Sequence, residues 1–289
     1  MSIASNVGRP VVGAVAGMGW APQPTAVAWA ASEASRRAVP LVLVHSYATL
    51  PYESGPAEHY LLRSGAQSEL DDAVLQVRRA WPAVPVLPRL IQHRPDLALQ
   101  EESGRAAVVV LGTRTHAVEA TEARFGSVVG ALITAAACPV VAVPASPSRP
   151  TPEPRPVVVA VDGSAVSQPA VAFAFDAAAR RRAPLAVVHC WPAEPGNAAR
   201  AAARFEHRVL LSEVLAGFAE RYPDVPVTDG GCEGEPTAEL VRWSRRAGLL
   251  VVGSHGRDRW ETAVWGSVSR ALVRDAACPV AVVRPVAAA

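Results

Sequence analysis

The residues best suited to chemistry in this 289-residue chain form the pattern Gly253-x2-Gly256-x9-Gly266-Ser267. Glycines at 253 and 256 carry no Cβ, so the backbone there can turn its N–H groups inward as an anion-binding nest. Gly266 and Ser267 open an expected helix, whose first N–H groups and serine hydroxyl suit phosphate oxygens. His255 lies inside the loop, where it either meets a phosphate or is simply solvated. Arg257 and Arg259 offer positive charge in a chain that contains no lysine. That absence excludes a P-loop of the G-x4-G-K-[ST] type. Asp162, at the end of an earlier apolar run, is an acceptor for ribose hydroxyls or else a cap for the helix that comes after Ser164.

The elements around these residues must bring them together. Val157–Val161 reads as a strand and Ser167–Arg182 as a helix, with Ser167 as N-cap and Pro169 in the first turn. Next come Leu185–Cys190 (strand), Ala199–Arg221 (helix), Val225–Thr228 (strand) and Pro236–Arg246 (helix). Leu249–Gly253 (strand), Gly266–Arg274 (helix) and Pro279–Val283 (strand) complete the series. Short, continuously apolar strands alternating with amphipathic helices imply a parallel sheet covered on both faces. In such a sheet ligands sit beyond the carboxyl ends of the strands, where strand order reverses. Asp162, His189-Cys190 and the Gly253 loop should converge there.

The same order runs from Val11 to Val143, because the chain is an internal repeat. Cys138-Pro139-Val140 returns as Cys278-Pro279-Val280, Gly126-Ser127 as Gly266-Ser267, Gly112 as Gly253 and His45 as His189. Prolines at 144, 147, 150, 152, 154 and 156 mark a spacer between the copies. The expected division is residues 1–145, a linker at 146–155, and residues 156–289. Both halves are α/β, giving two tandem doubly wound parallel-sheet domains. The first copy has Ala16 in the place of Asp162 and Thr115 in the place of Gly256. It reads as a degenerate site, and only the second as a nucleotide site.

Composition narrows the field further. Half the residues are hydrophobic and 19% charged, as in globular proteins. A net charge of +2 gives no electrostatic reason to expect nucleic acid or a membrane surface. The longest apolar stretch, Val128–Val143, is short for a membrane span and contains Pro139. Four cysteines without a C-x-x-C spacing point to a reduced, cytoplasmic setting. Cys138 and Cys278 read as small buried hydrophobes; Cys190 and Cys232 could meet oxidants, though no neighbour in sequence argues for a lowered pKa. His45 and His189, at strand ends, read as structural. Rapid catalysis has no visible machinery: no paired carboxylates, Ser-His-Asp set or metal-ligand cluster can be named.

Val-Asp-Gly-Ser at 161–164, Val-His-Cys-Trp-Pro at 188–192, the full glycine spacing and the terminal Cys-Pro-Val-Ala-Val-Val together resemble a universal stress protein domain of the ATP-binding type. The likeness spans nearly the whole chain as a tandem pair. It implies a Rossmann-like fold related to the adenine-nucleotide α-hydrolases and an adenine nucleotide as ligand, ATP first, with or without Mg. Asp162 would meet the ribose end and the backbone around Val188 to Cys190 the adenine. Gly253, Gly256, Gly266, Ser267 and Val268 would hold phosphates. It also implies pairing of the two domains through their last strands, with a homodimer as a further option. The competing readings are an interaction module with a vestigial loop and a slow nucleotide hydrolase.

Overall fold

The computed structural model describes residues 8–15, 24–47, 56–113, 122–145, 154–164, 167–193, 196–254 and 266–285, with backbone alone at 24, 56–58 and 122–127. The chain divides into two compact units, residues 2–146 and 147–289.

In the first unit the order is β1 (Val11–Val15), α1 (Pro24–Arg37), β2 (Leu41–Tyr47), α2 (Pro56–Ala80), β3 (Val86–Gln92), α3 (Pro95–Ser103), β4 (Val108–Thr113), α4 (Glu122–Ala135) and β5 (Val140–Pro144). Its strands pair in parallel in the order β3-β2-β1-β4-β5. The second unit begins with β6 (Val157–Ala160), α5 (Gln168–Arg181), β7 (Leu185–Val188), β8 (Cys190–Trp191), α6 (Asn197–Leu215) and α7 (Phe218–Arg221). It continues with β9 (Val227–Asp229), β10 (Cys232–Glu233), α8 (Pro236–Ser244), β11 (Leu249–Gly253), α9 (Ser267–Asp275) and β12 (Val280–Val283). Its main sheet is parallel, ordered β12-β11-β6-β7-β9. Both units are therefore doubly wound α/β sheets. In the second, the order reverses between β6 and β11, which is where a ligand site belongs.

The strands form because they are buried on both faces. Val157, Val158, Val159, Leu249, Leu250 and Val251 are all 0% exposed, which β-branched and leucine runs tolerate and polar alternation would not. Three features differ from the expected elements. The long helix after β8 breaks at Ala216-Gly217, where Gly217 takes φ +77°, a left-handed turn that favours glycine. The short α7 then lays Phe218 on buried Phe175 with ring centroids 5.0 Å apart and parallel planes, and Tyr222 adds a second ring at 5.5 Å. The expected strand Leu185–Cys190 stops at Val188, and Cys190–Trp191 pairs instead with β10 in a separate two-stranded ribbon. Ser167 precedes α5 as expected, but its hydroxyl makes no cap bond.

A serine at the end of the third main helix fastens each unit. Ser244, 0% exposed at the end of α8, donates to Val241 O (2.7 Å) and accepts from Ala277 N–H (2.9 Å) just before β12. Ser103 does the same between Gln100 O and Ala137 N–H in the first unit. Each hydroxyl satisfies a backbone N–H in the turn that feeds the last strand. Replacing Ser244 by Ala should lower unfolding free energy by about 1–3 kcal/mol, the usual cost of orphaning a buried group. Urea denaturation of the variant beside the wild-type chain measures it.

Candidate functional site

Parallel register brings the expected residues to one edge of the second sheet. Leu249–Val251 of β11 lie beside Val157–Val159 of β6, and Ala160 beside Val188 of β7. Asp162, His189 and Gly253 are thus successive features of the same carboxyl edge. The start of α9 is tied to this edge: Gly266 N–H donates to Ser254 O (3.2 Å), and Ser254 N–H donates to Val283 O at the end of β12 (3.0 Å). Gly266 is the N-cap of α9, with extended φ −62°, ψ 148°. The first intrahelical bond runs from Arg270 N–H to Gly266 O (3.0 Å), so the N–H groups of Ser267 and Val268 have no acceptor within the helix. Ser267 is exposed and Val268 half-buried. His255, Gly256 and Arg257 lie outside the described residues, as do Ala16 and Thr115 of the first copy.

Asp162 is held firmly. One carboxylate oxygen, Oδ1, accepts from Ser164 N–H (3.0 Å), Ser164 Oγ (2.6 Å) and Ser167 Oγ (2.8 Å). The hydroxyl of Ser167 therefore serves Asp162 and not the helix, which is why it makes no cap. Ionised acceptors draw such donors more strongly than neutral ones. The result is a carboxylate of fixed orientation beyond β6, half-buried at the strand-order reversal.

Val188 is buried, and its carbonyl already accepts from Val161 N–H (2.9 Å). The carbonyls of His189 and Trp191 accept from Cys232 and Gly234 N–H groups across the β8–β10 ribbon (3.0 and 2.8 Å). Successive peptide groups of a strand point to opposite sides, so the carbonyl of Cys190 points away from β10.

Four side chains beside this backbone were not legible as a group. His207 of α6, 4% exposed, bonds through Nε2 to Asp229 Oδ1 (2.7 Å), and its Nδ1 lies 3.2 Å from His189 Nδ1. One imidazole must donate and the other accept in that pair. The two rings stack at 5.4 Å, and Trp191 tilts onto His207 at 4.8 Å. Gly230 and Gly231 make room for them: a Cβ on Gly231 would run into the His207 ring, and one on Gly230 would come within 2.7 Å of Val188 Cγ2. The signal that sequence did hold was Asp229-Gly230-Gly231-Cys232 itself, a tight turn after a strand. In the first unit, buried His45 bonds Glu69 through Nε2 (2.8 Å).

The first unit also differs at its helix start. α4 begins at Glu122, so Gly126 and Ser127 lie inside the helix, beyond the turn whose N–H groups lack intrahelical acceptors. Gly266 and Ser267, by contrast, are the cap and first residue of α9. Among the described residues no group of three or more His, Cys, Asp or Glu side chains could hold a metal ion, and no helix is long and apolar enough to cross a membrane.

A parallel, doubly wound sheet repeated twice, with a helix N-terminus at the strand-order reversal, defines the Rossmann-like class of α/β protein. A family model for universal stress proteins matches residues 15–144 and again 153–284, and the chain belongs to that family. It is 36% identical over 272 residues to a universal stress protein of Mycobacterium tuberculosis, covering 90% of this chain and 92% of that one. A universal stress protein of Mycolicibacterium smegmatis is 32% identical over 273 residues, covering 90% and 92%. In fold the chain is similar to a universal stress protein of Archaeoglobus fulgidus, with a TM-score of 0.67, 15% identity and 96% of each chain covered.

Asp229 ionises below its ordinary value of 3.8: burial opposes this, but the Gly231 N–H and the His207 ring outweigh it. Its folded pKa is thus below its unfolded one. The stabilisation is present above the unfolded value and is lost as pH falls through the folded value. The gap in thermal midpoint between wild type and Asp229→Asn should be full near neutral pH and close as pH drops through the carboxylate range. A gap that stays constant with pH would show that Asp229 acts by packing alone.

Proposed function

We propose that the second domain binds an adenine nucleotide, ATP being the favoured ligand, as a regulatory binding module of the cytoplasm. The observation that carries this reading is the Ser254–Gly266 tie, which sets the open N–H groups of Ser267 and Val268 beside the carboxyl edge that also holds Asp162 and Gly253. A helix N-terminus presents both donors and a favourable dipole to phosphate oxygens. Gly253, His255, Gly256, Arg257, Gly266, Ser267 and Val268 would hold the phosphates. Asp162, fixed by Ser164 and Ser167, would accept from ribose hydroxyls, and the Cys190 backbone would meet the adenine edge beside Val188.

With no lysine in the chain, arginine, backbone donors and a counterion must balance the phosphates. Since no described cluster suits a metal, Mg would be held chiefly by the phosphates of the nucleotide and not by a protein cage. In the first domain the reading is absence of a nucleotide site, in keeping with Ala16 and with Gly126-Ser127 inside α4.

Titration calorimetry of the full chain with ATP tests the proposal. The expected result is one nucleotide per chain. Gly256→Asp should weaken binding at least about a hundredfold, or roughly 2.8 kcal/mol, by steric and like-charge conflict with phosphate. Thr115→Asp in the first domain should leave it unchanged. No heat with ATP, ADP or AMP at millimolar ligand, or a stoichiometry of two, would overturn it. Asp162→Asn should weaken ATP and adenosine in the same proportion, because a ribose contact is common to both. A loss confined to ATP would move Asp162 to the phosphates.

A further inference from the structure

The β8–β10 ribbon places two cysteines side by side that are far apart in sequence. Cys190 and Cys232 are register partners in this parallel pair, and each is half-buried. Their sulfurs lie 2.9 Å apart, against about 2.05 Å in a disulfide bond. Neighbouring parallel strands run about 4.8 Å apart, within the Cα separation that a disulfide spans, so closure needs no strand to move far. The other two cysteines differ. Cys138 and Cys278 are buried ahead of β5 and β12, and burial pushes both thiols up to about 12.

We propose that Cys190 and Cys232 form a reversible dithiol–disulfide pair that exchanges with low-molecular-weight disulfides. The Cys232 thiolate attacks one sulfur of the disulfide R–S–S–R, forming Cys232–S–S–R and releasing one thiolate, which takes up a proton. The Cys190 thiolate then attacks Cys232 Sγ and expels the second thiolate, which is protonated in turn. Two protein thiols are oxidised by two electrons, and one small disulfide is reduced to two thiols.

The surroundings set the speed of this exchange. Burial pushes the Cys190 thiol up, as do the neighbouring Cys232, Glu239 and Glu235. Burial and Glu239 also raise Cys232, against a hydrogen bond from Cys190 that lowers it. Thiolate is scarce at neutral pH under these influences, so the pair exchanges slowly and closes because the second thiol is already in place. A pair of this kind suits a reducing compartment, where protein disulfides are transient. The inference does not depend on nucleotide binding.

The test is a thiol map of the native full chain after incubation with oxidised glutathione, with alkylation then carried out in denaturant. All four cysteines should alkylate in the untreated chain. After oxidation only Cys138 and Cys278 should alkylate, with the Cys190 and Cys232 peptides joined and dithiothreitol restoring both. Cys190→Ser should instead keep a glutathione adduct on Cys232, the step before closure. Four alkylated cysteines after oxidation, a cross-link through Cys138 or Cys278, or a stable glutathione adduct on the wild-type chain would each overturn it. The wild-type map decides the matter even where a variant fails to fold.

Discussion

A parallel strand cannot be reached from its neighbour through a tight turn, so a helix or long loop must carry the chain back to the starting edge each time. In the second domain every strand of the main sheet consequently leaves at the same edge. The apolar ladder of β6, β7, β11 and β12 satisfies backbone groups that burial would otherwise orphan. The segment after each strand leaves the ladder at that one edge. Asp162, His189, Gly253 and the N-terminus of α9 are neighbours for this reason and for no reason local to any of them.

The order of elements was legible because each signal was local. Continuous runs such as Leu249–Val252 announce buried strands, Pro169 and Pro236 announce helix starts, and Gly266 announces the cap of α9. The features that stayed hidden depend on contacts across the chain. The end of β7 at Val188 is set by where β9 and β10 lie, and no pattern within 185–190 encodes it. The use of Ser167 by Asp162 depends on the turn between β6 and α5, which leaves a good capping residue with another task. Nothing within the long helix singles out His207; its role appears only when Asp229 of β9 and His189, just past β7, come beside it.

The two copies show how little must change to alter a helix terminus. The Gly-Ser pair is present in both, yet it caps α9 and lies inside α4. A glycine is a poor helix former but a tolerated one, so whether it ends a helix is decided by the residues before it. In the second copy Gly266 is drawn to Ser254 O, and the helix cannot extend backwards past that bond. In the first, helical residues already stand at 122–125. The N–H groups of Ser267 and Val268 at the start of α9 are therefore open, whereas those of Gly126 and Ser127 are spent within α4.

Gly230 and Gly231 link the remaining features. After β9 the chain must turn without striking β7, and any side chain at 230 would meet Val188. Turning there lets Cys232 bond to His189 O, which starts the β8–β10 ribbon and sets Cys190 beside Cys232. The space left by the missing side chain at 231 is filled by the His207 ring, while the Gly231 N–H and His207 both bond Asp229. The paired cysteines, the histidine stack and the outward carbonyl of Cys190 are thus three consequences of one turn. A larger residue at either glycine would disturb all three together, because each depends on the same backbone path.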